Sequence, residues 1–441
     1  MKQTMQEYFS ALNNEIISAQ TYEMTGTISQ ITGLTVESTG PNVRLGDICQ
    51  IFPSYSGSAP VLAEVVGFRE SRLLLMPFGA VSGIGLGDKV VATNRQFLVD
   101  MSPEMKGRVL DALGKPMDGK GALPSHMKYG IDNDPPNPLM RRRIKDVMET
   151  GVKAIDSLLT LGGGQRMGIF AGSGVGKSTL LGMLARNAVA DVNVITLIGE
   201  RGREVLDFIE KDLREEGLKK SVLVVATSDQ PALLRLKSAM VGTAVAEYFR
   251  DQGCNVLLMM DSLTRFAMAQ REIGMAVGEP PVSHGYPPSV FAKLPRLLER
   301  SGTSQSGSIT AIYTVLVDGD DMNEPISDAV RGILDGHIIL SRELAASNHY
   351  PPIDVLHSVS RLMPDITEEE HYRMAGTLKG MLATYNEARD LINIGAYKPG
   401  SNPTIDRAIK LRPKINEMLR QGMSEYSSLA AVVDTMRTIL Q

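Results

Sequence analysis

The run Ile169-Phe170-Ala171-Gly172-Ser173-Gly174-Val175-Gly176-Lys177-Ser178-Thr179-Leu180 combines glycines, a lysine and hydroxyls in an order suited to holding a polyphosphate. Gly172, Ser173, Gly174, Val175 and Gly176 can wrap backbone N–H groups around an anion, at the positive end of the helix expected to follow. Lys177 is placed to reach the β- and γ-phosphates, the Ser178 hydroxyl to ligate Mg²⁺, and Thr179 beside it to bind the nucleotide. The strict pattern G-x-x-x-x-G-K-[ST] begins here with Ala171, which leaves the later glycines and the chemistry intact. A strand is predicted over Gln165–Phe170 and a helix over Ser178–Ala188. The ligand these residues imply is a nucleoside triphosphate.

Two acids can complete a hydrolytic site. The apolar run Val256-Leu257-Leu258-Met259-Met260 ends in Asp261, which a parallel sheet would carry to the edge where the phosphate loop sits, within reach of the Mg²⁺ water shell. Glu200 opens Glu200-Arg201-Gly202-Arg203-Glu204 directly after the predicted strand Val192–Ile198, and can polarise water against a γ-phosphate. A surface acid paired with Arg201 or Arg203 is the competing reading.

The elements that must position these groups follow from texture. A chain of 441 residues suggests two to four domains, with 43% hydrophobic residues available for a core. A net charge of −4 argues against a dedicated nucleic-acid binder. Arg141-Arg142-Arg143 is a local basic exception and reads as a solvated or acid-paired linker. Cys49 and Cys254 stand far apart, as reduced thiols. No apolar run approaches the ~20 residues of a membrane span, and Glu7 and Glu15 are incompatible with a signal peptide.

Met5, Tyr8, Phe9, Leu12 and Ile16 share one face of a predicted helix over 1–20, which must dock on its own body or on a partner. Residues 21–99 carry short β-rich runs broken by glycine, as in a small barrel or sandwich. Residues 100–143 read as a turn-rich connector. Beyond it, apolar strands at Val192–Ile198, Ser221–Ala226, Asn255–Met260, Ile309–Val317 and His337–Leu340 alternate with helices, predicting an α/β domain with a mostly parallel sheet covered on both faces. From 366 to 441 the pattern is helical. Thr367 and Glu370 have the spacing of a capping box, and Leu429, Val432, Val433, Met436, Ile439 and Leu440 form an apolar stripe.

The blocks AGSGVGKST, LIGERGREVLDFI, ATSDQPALLR, LLMMDSLTRFAMAQREIG, GEPPVSHGYPPSVFAKLPRLLER and DGDDMNEPISDAVRGILDGHI resemble the type III export ATPases, relatives of the catalytic subunit of rotary ATP synthases. The likeness is strongest to the flagellar branch. It implies a β-barrel, a RecA-like P-loop core over 100–365 and a C-terminal helical domain over 366–441, assembled as a homohexamer that hydrolyses Mg·ATP. Carried over by position, Lys177 and Ser178 hold phosphate and metal, Glu200 is the catalytic carboxylate and Asp261 the second acid, acting on the metal through water. Arg201 contacts phosphate or a neighbouring subunit. Tyr350 stacks on adenine, Arg361 is an arginine finger for the next subunit's site, and Tyr397 either closes the adenine pocket or packs. Gly278–Leu298 matches a loop facing the ring centre, with a rigid connector as the alternative.

The resemblance further implies export of flagellar proteins by a cytoplasmic enzyme peripherally associated with the inner-membrane export apparatus. Its partners would be a regulator dimer at the N-terminal helix, a coiled-coil central stalk, the membrane export gate and chaperone–cargo complexes. The ATPase of a virulence injectisome shares this chemistry. A rotary ATP synthase subunit and a ring-shaped RNA translocase are more distant alternatives; the negative net charge and the lack of an aromatic-and-basic pattern in residues 21–99 speak against the translocase.

Overall fold

The structure is a computed structural model and describes Phe9 and residues 24–54, 59–317, 319 and 321–441. The helix expected over 1–20 lies outside the described residues, Phe9 excepted. The chain divides into two compact units, one ending at Phe97 and the other beginning at Leu98.

The first unit is a closed antiparallel barrel. Its strands run in the order Thr25–Thr32, Thr35–Ser38, Arg72–Pro77, Val61–Arg69, Ile48–Phe52 and Lys89–Ala92, and the last pairs back to the first. Closure satisfies both edges of the sheet, and inward side chains fill the interior: Val36, Ile51, Ala63, Leu75 and Val90 are fully buried. The barrel reading therefore displaces the sandwich. Lys89–Ala92, the closing strand, gave only a four-residue signal in the sequence.

The second unit is built on a sheet of strand order Ile353–Ser360, Gly336–Leu340, Arg166–Ala171, Ser308–Leu316, Asn255–Asp261, Val192–Glu200, Ser221–Thr227 and Val109–Asp111. All are parallel except Ile353–Ser360, which runs antiparallel at one edge. The predicted strands sit within a residue or two of these bounds. Two edge strands were missed. Val109–Asp111, read as connector, is three residues long between turn glycines and carries no periodic signal. Ile353–Ser360 alternates between buried and exposed positions, as expected of a one-sided edge.

The C-terminal helices Glu369–Asn393, Pro403–Leu419 and Leu429–Leu440 share a core with the sheet and with the helix Lys153–Leu158. Val432, Met436 and Ile439 of the apolar stripe are buried there, with Val433 and Leu440 packed at its rim. The capping box does not form. Thr367 instead terminates the short helix Met363–Ile366 and donates its hydroxyl to Met363 O at 2.7 Å, while Glu370 pairs with Arg437 at 3.0 Å. The segment from Gly278 is a loop only to Pro287; Pro288–Leu298 is a helix opened by a proline at its first position. Of the three basic residues, Arg141 is acid-paired, 3.6 Å from Glu299, and Arg141 and Arg142 also brace the chain by donating to Ser301 O (2.6 Å) and Ser304 O (2.9 Å).

Candidate active site

The phosphate loop leaves the central strand Arg166–Ala171 and enters the helix Lys177–Asn187. Gly174 and Gly176 take φ of +76° and +105°, a region costly for any side chain bearing Cβ. Gly176 is the helix N-cap and offers no side-chain acceptor to the first-turn amides. Those N–H groups and the helix dipole thus face the cleft as an anion site. Val175 is buried beneath the loop, while Ser173, Gly174 and Ser178 are exposed on it.

Parallel register brings the acids alongside. Leu197 pairs with Asp261 across neighbouring strands, so Glu200 emerges from the same sheet edge. Lys177 Nζ lies 2.5 Å from Asp261 Oδ1 and 3.9 Å from Glu200 Oε1. Asp261 is 4% exposed and accepts a second bond from Thr314 Oγ1 at 2.8 Å, which fixes its carboxylate. Burial pushes the Glu200 carboxyl up to about 7; the Asp261 charge and a hydrogen bond shared with Glu204 add to the rise, and Lys177 and Arg265 oppose it. A carboxyl poised there can take a proton from water near neutral pH. Gly199, at φ +65°, turns the strand end so that Glu200 faces the loop.

A cleft of about 380 Å³ is lined by the phosphate loop, Glu200, Arg201, Glu204, Asp212 and Arg265. Arg201 is exposed, 3.3 Å from Glu204, at the mouth. Sequence reasoning missed Arg265 and Asp212. Arg265 stands in the first turn of the helix Leu263–Val277 that follows Asp261, and its Nε is buried without a hydrogen-bond partner. Its spacing four residues after Asp261 was the available signal. Asp212 belongs to a π-helical turn, Phe208–Leu213, and accepts a hydrogen bond from the Thr179 hydroxyl. No local sequence feature announces that contact.

The remaining predicted site residues separate. Ile353 pairs with Leu340 at the phosphate-loop edge of the sheet, whereas Ser360 pairs with Gly336 at the other. Tyr350 accordingly flanks the loop: a Cβ on Gly176 would lie 3.9 Å from Tyr350 Cε1, and the ring is 44% exposed. Arg361 falls at the opposite edge, about 25 Å away at ~3.3 Å per strand residue. Its guanidinium is exposed, makes one long bond of 3.4 Å to Arg331 O, and has no ion pair among the described residues. The Tyr397 hydroxyl is tied to Asn402 O and Asp406 Oδ1 at 3.0 and 2.9 Å, fastening the start of the helix Pro403–Leu419. Tyr286 is buried at 4% exposure, against Arg271 and Phe291, so it is no outward contact of the Gly278–Pro287 loop; Val282 is the apolar group exposed there.

A phosphate loop with two acids on one edge of a parallel sheet defines a P-loop nucleotide hydrolase. Comparison with known proteins narrows the class. The ATP synthase alpha/beta family matches through its beta-barrel domain at residues 28–94 and its nucleotide-binding domain at 151–360, and the T3SS EscN ATPase C-terminal domain matches 367–438. A flagellum-specific ATP synthase of Bacillus subtilis is 54% identical over 419 residues, 95% of each chain. The assembled ATPase EscN of the enteropathogenic E. coli type III secretion system is 47% identical, with a TM-score of 0.90 over 94% of this chain and 100% of that one. The same ATPase in complex with its central stalk EscO matches at 46% identity and a TM-score of 0.87, over the same shares of the two chains. The chain belongs to the ATP synthase alpha/beta family, in its branch of flagellum-specific and type III secretion ATPases, and is an ATP-hydrolysing enzyme.

Proposed function

We propose that this enzyme hydrolyses Mg·ATP as a homohexameric ring and energises protein export through the flagellar type III apparatus. The observation that carries the ring is the separation of Arg361 from the chain's own phosphate loop. An unpaired guanidinium at the far sheet edge can act as a finger only on a neighbouring copy, where it would neutralise charge growing on the γ-phosphoryl oxygens. In the chain's own cleft, the loop amides and Lys177 bind the phosphates, Glu200 takes a proton from the attacking water, and Arg265 and Arg201 add positive charge. Tyr350 offers a flat face to the adenine ring.

The residues fit a Mg²⁺ ion held largely by water and phosphate. Ser178 presents its hydroxyl at the start of the helix, and Asp261 and Glu200 face the same space as outer acceptors. Among the described residues, no three or more His, Cys, Asp or Glu side chains converge into a metal cage. Mg²⁺ would supply charge neutralisation on the β- and γ-phosphates.

The organisation we propose is a partner-binding helix over 1–20, a barrel over 21–99, a RecA-like domain over 100–365 and a helical domain over 366–441. A regulator dimer would engage the first, and a coiled-coil stalk the ring centre; the similar ATPase EscN forms a complex with its central stalk EscO. The export gate and chaperone–cargo complexes complete the partners, with no dedicated nucleic-acid binding. Among the described residues no helix is long and apolar enough to cross a membrane. That agrees with a cytoplasmic enzyme held peripherally at the inner-membrane apparatus.

Mixing two inactive variants tests the ring. Arg361→Ala and Glu200→Gln chains, each inert alone, should recover ATPase activity when co-assembled, since some interfaces then pair an intact Glu200 with an intact Arg361. No recovery would reject a finger acting between copies. Deletion of the gene tests the pathway: lost filaments with flagellar subunits retained in the cell support the flagellar reading. Normal filaments with missing virulence effectors would instead favour the injectisome reading, which the likeness to EscN keeps open.

A further inference from the structure

The turn between the last two helices, residues 420–428, is bonded to the segment 149–153 and to Tyr350. Gln421 is 5% exposed, and its backbone N–H and both ends of its side-chain amide are hydrogen-bonded there. Its backbone N–H donates to Tyr350 O at 2.8 Å. Its Oε1 accepts from Lys153 N at 2.8 Å, and its Nε2 donates to Gly151 O at 2.8 Å and Glu425 O at 2.9 Å. Around it, Lys153 Nζ pairs with Glu425, and the Tyr426 hydroxyl donates to Glu149 Oε1 at 2.6 Å. The turn also holds the far end of the phosphate-loop helix, where Arg186 donates to Met423 O at 2.5 Å, and Arg214, which donates to Ser424 Oγ at 2.9 Å.

This arrangement exceeds what a connecting turn requires. A buried primary amide with every donor and acceptor engaged has one orientation, because rotating it would strand a donor or acceptor away from water. That orientation fixes the backbone of Gln421, and so aims its N–H at the carbonyl of Tyr350. Tyr350 is 44% exposed, while its carbonyl is held by the Gln421 N–H. Its place beside Gly176 is therefore set through its main chain.

We infer that Gln421 is a positioning residue for the nucleotide base, holding Tyr350 in register with the phosphate loop. The inference rests on the reading of Tyr350 as the stacking residue. It makes the C-terminal helices part of the affinity of the site, although no side chain of Gln421 faces phosphate or the acids. Its loss should weaken binding of nucleotides that carry a base and leave the chemical step alone.

The test compares ADP with inorganic tripolyphosphate, which has phosphates but no base, on the full chain. In Gln421→Met, the KM for ATP and the Kd for ADP should rise about 3- to 10-fold, the scale of one aromatic stacking contact. Turnover at saturation should stay within about twofold, and tripolyphosphate affinity should be unchanged. Equal weakening of tripolyphosphate would mean general loosening of the site and would overturn the inference. Tyr350→Ala separates the two readings. If it leaves ADP affinity unchanged, stacking by Tyr350 is wrong; if it weakens ADP while Gln421→Met does not, stacking stands and positioning by Gln421 is wrong. Should Gln421→Met fail to fold, hydrogen exchange on the wild-type chain decides. Exchange of the Gln421 amide should slow when ADP binds, and an unchanged rate would refute the inference.

Discussion

The two edges of the central sheet treat charge in opposite ways. At the edge away from the phosphate loop, two buried arginines are each matched to carboxylates. Arg300 and Glu247, 2% and 1% exposed, meet through two bonds of 2.7 and 2.8 Å, with Asn133 and Ile131 O satisfying what remains. Arg166 there is clasped by Asp335 at 3.1 Å and Glu299 at 2.5 Å, which hold its pKa above the ordinary arginine value. At the phosphate-loop edge, one lysine serves two acids unequally, a glutamate is pushed up to about 7, and an arginine Nε is buried without a partner. The buried arginines of one edge are neutralised within the chain, and the other edge leaves its buried charges to be completed by a ligand. Arg361 is an exception to that matching, an exposed cation at the same edge with no ion pair among the described residues.

Breaking that exception should have the largest effect. Arg361→Ala is expected to lower turnover by roughly 10³–10⁵, the range for arginine fingers, with ADP binding nearly intact by calorimetry. Near-normal turnover would remove Arg361 from the mechanism. Glu200→Gln should cost roughly 10²–10⁴ in turnover, the range of a lost general base, while still binding ATP; rapid phosphate release from it would defeat the assignment.

A cut at the paired edge should act on stability instead. Glu247→Ala leaves Arg300 charged and buried, a loss of about 3–5 kcal/mol. Denaturant melts should show it, while the folded fraction should retain wild-type turnover per site. A fall in turnover per folded site would mean that the two edges are not independent.

The smallest effects are in pH. Protonated Glu200 cannot accept a proton, so kcat/KM should fall as pH drops through about 7, and the Glu200→Gln residue of activity should lose that dependence. Stability has the opposite sign. A carboxyl whose pKa is raised on folding binds its proton more tightly in the native state, so its burial costs stability as pH rises from the free carboxyl range near 4.5 through about 7. Glu200→Gln should therefore melt higher than wild type at pH 8, and the gap should close toward pH 4. A variant that melts lower at pH 8 would show that the Lys177 pairing outweighs the burial of Glu200.

Much of the cleft was legible in the chain because its parts are local. The strand, the glycine turn and the helix carrying Lys177 and Ser178 are consecutive, and Asp261 and Glu200 each end an apolar strand of recognisable length. Parallel order then sends every such strand end to one edge. The barrel's texture was equally local, since glycine breaks and short β-rich runs need no distant information. Sequence alone thus determined which element would carry each candidate residue of the phosphate loop and the two acids, though not Arg265 or Asp212.

Tertiary structure decided who meets whom. The barrel closes through the four-residue strand Lys89–Ala92, whose partners Thr25–Thr27 lie more than sixty residues earlier in the chain. The antiparallel course of Ile353–Ser360 puts Tyr350 beside the phosphate loop and Arg361 at the opposite edge, although eleven positions separate them in the chain. Asp212 reaches Thr179 only through a π-helical turn, and Gln421 reaches Gly151 across 270 residues. Composition and periodicity report whether a residue is inside or outside. They do not report partners, because the pairing of buried polar groups is fixed only when the whole core packs and each unsatisfied donor must find the nearest acceptor.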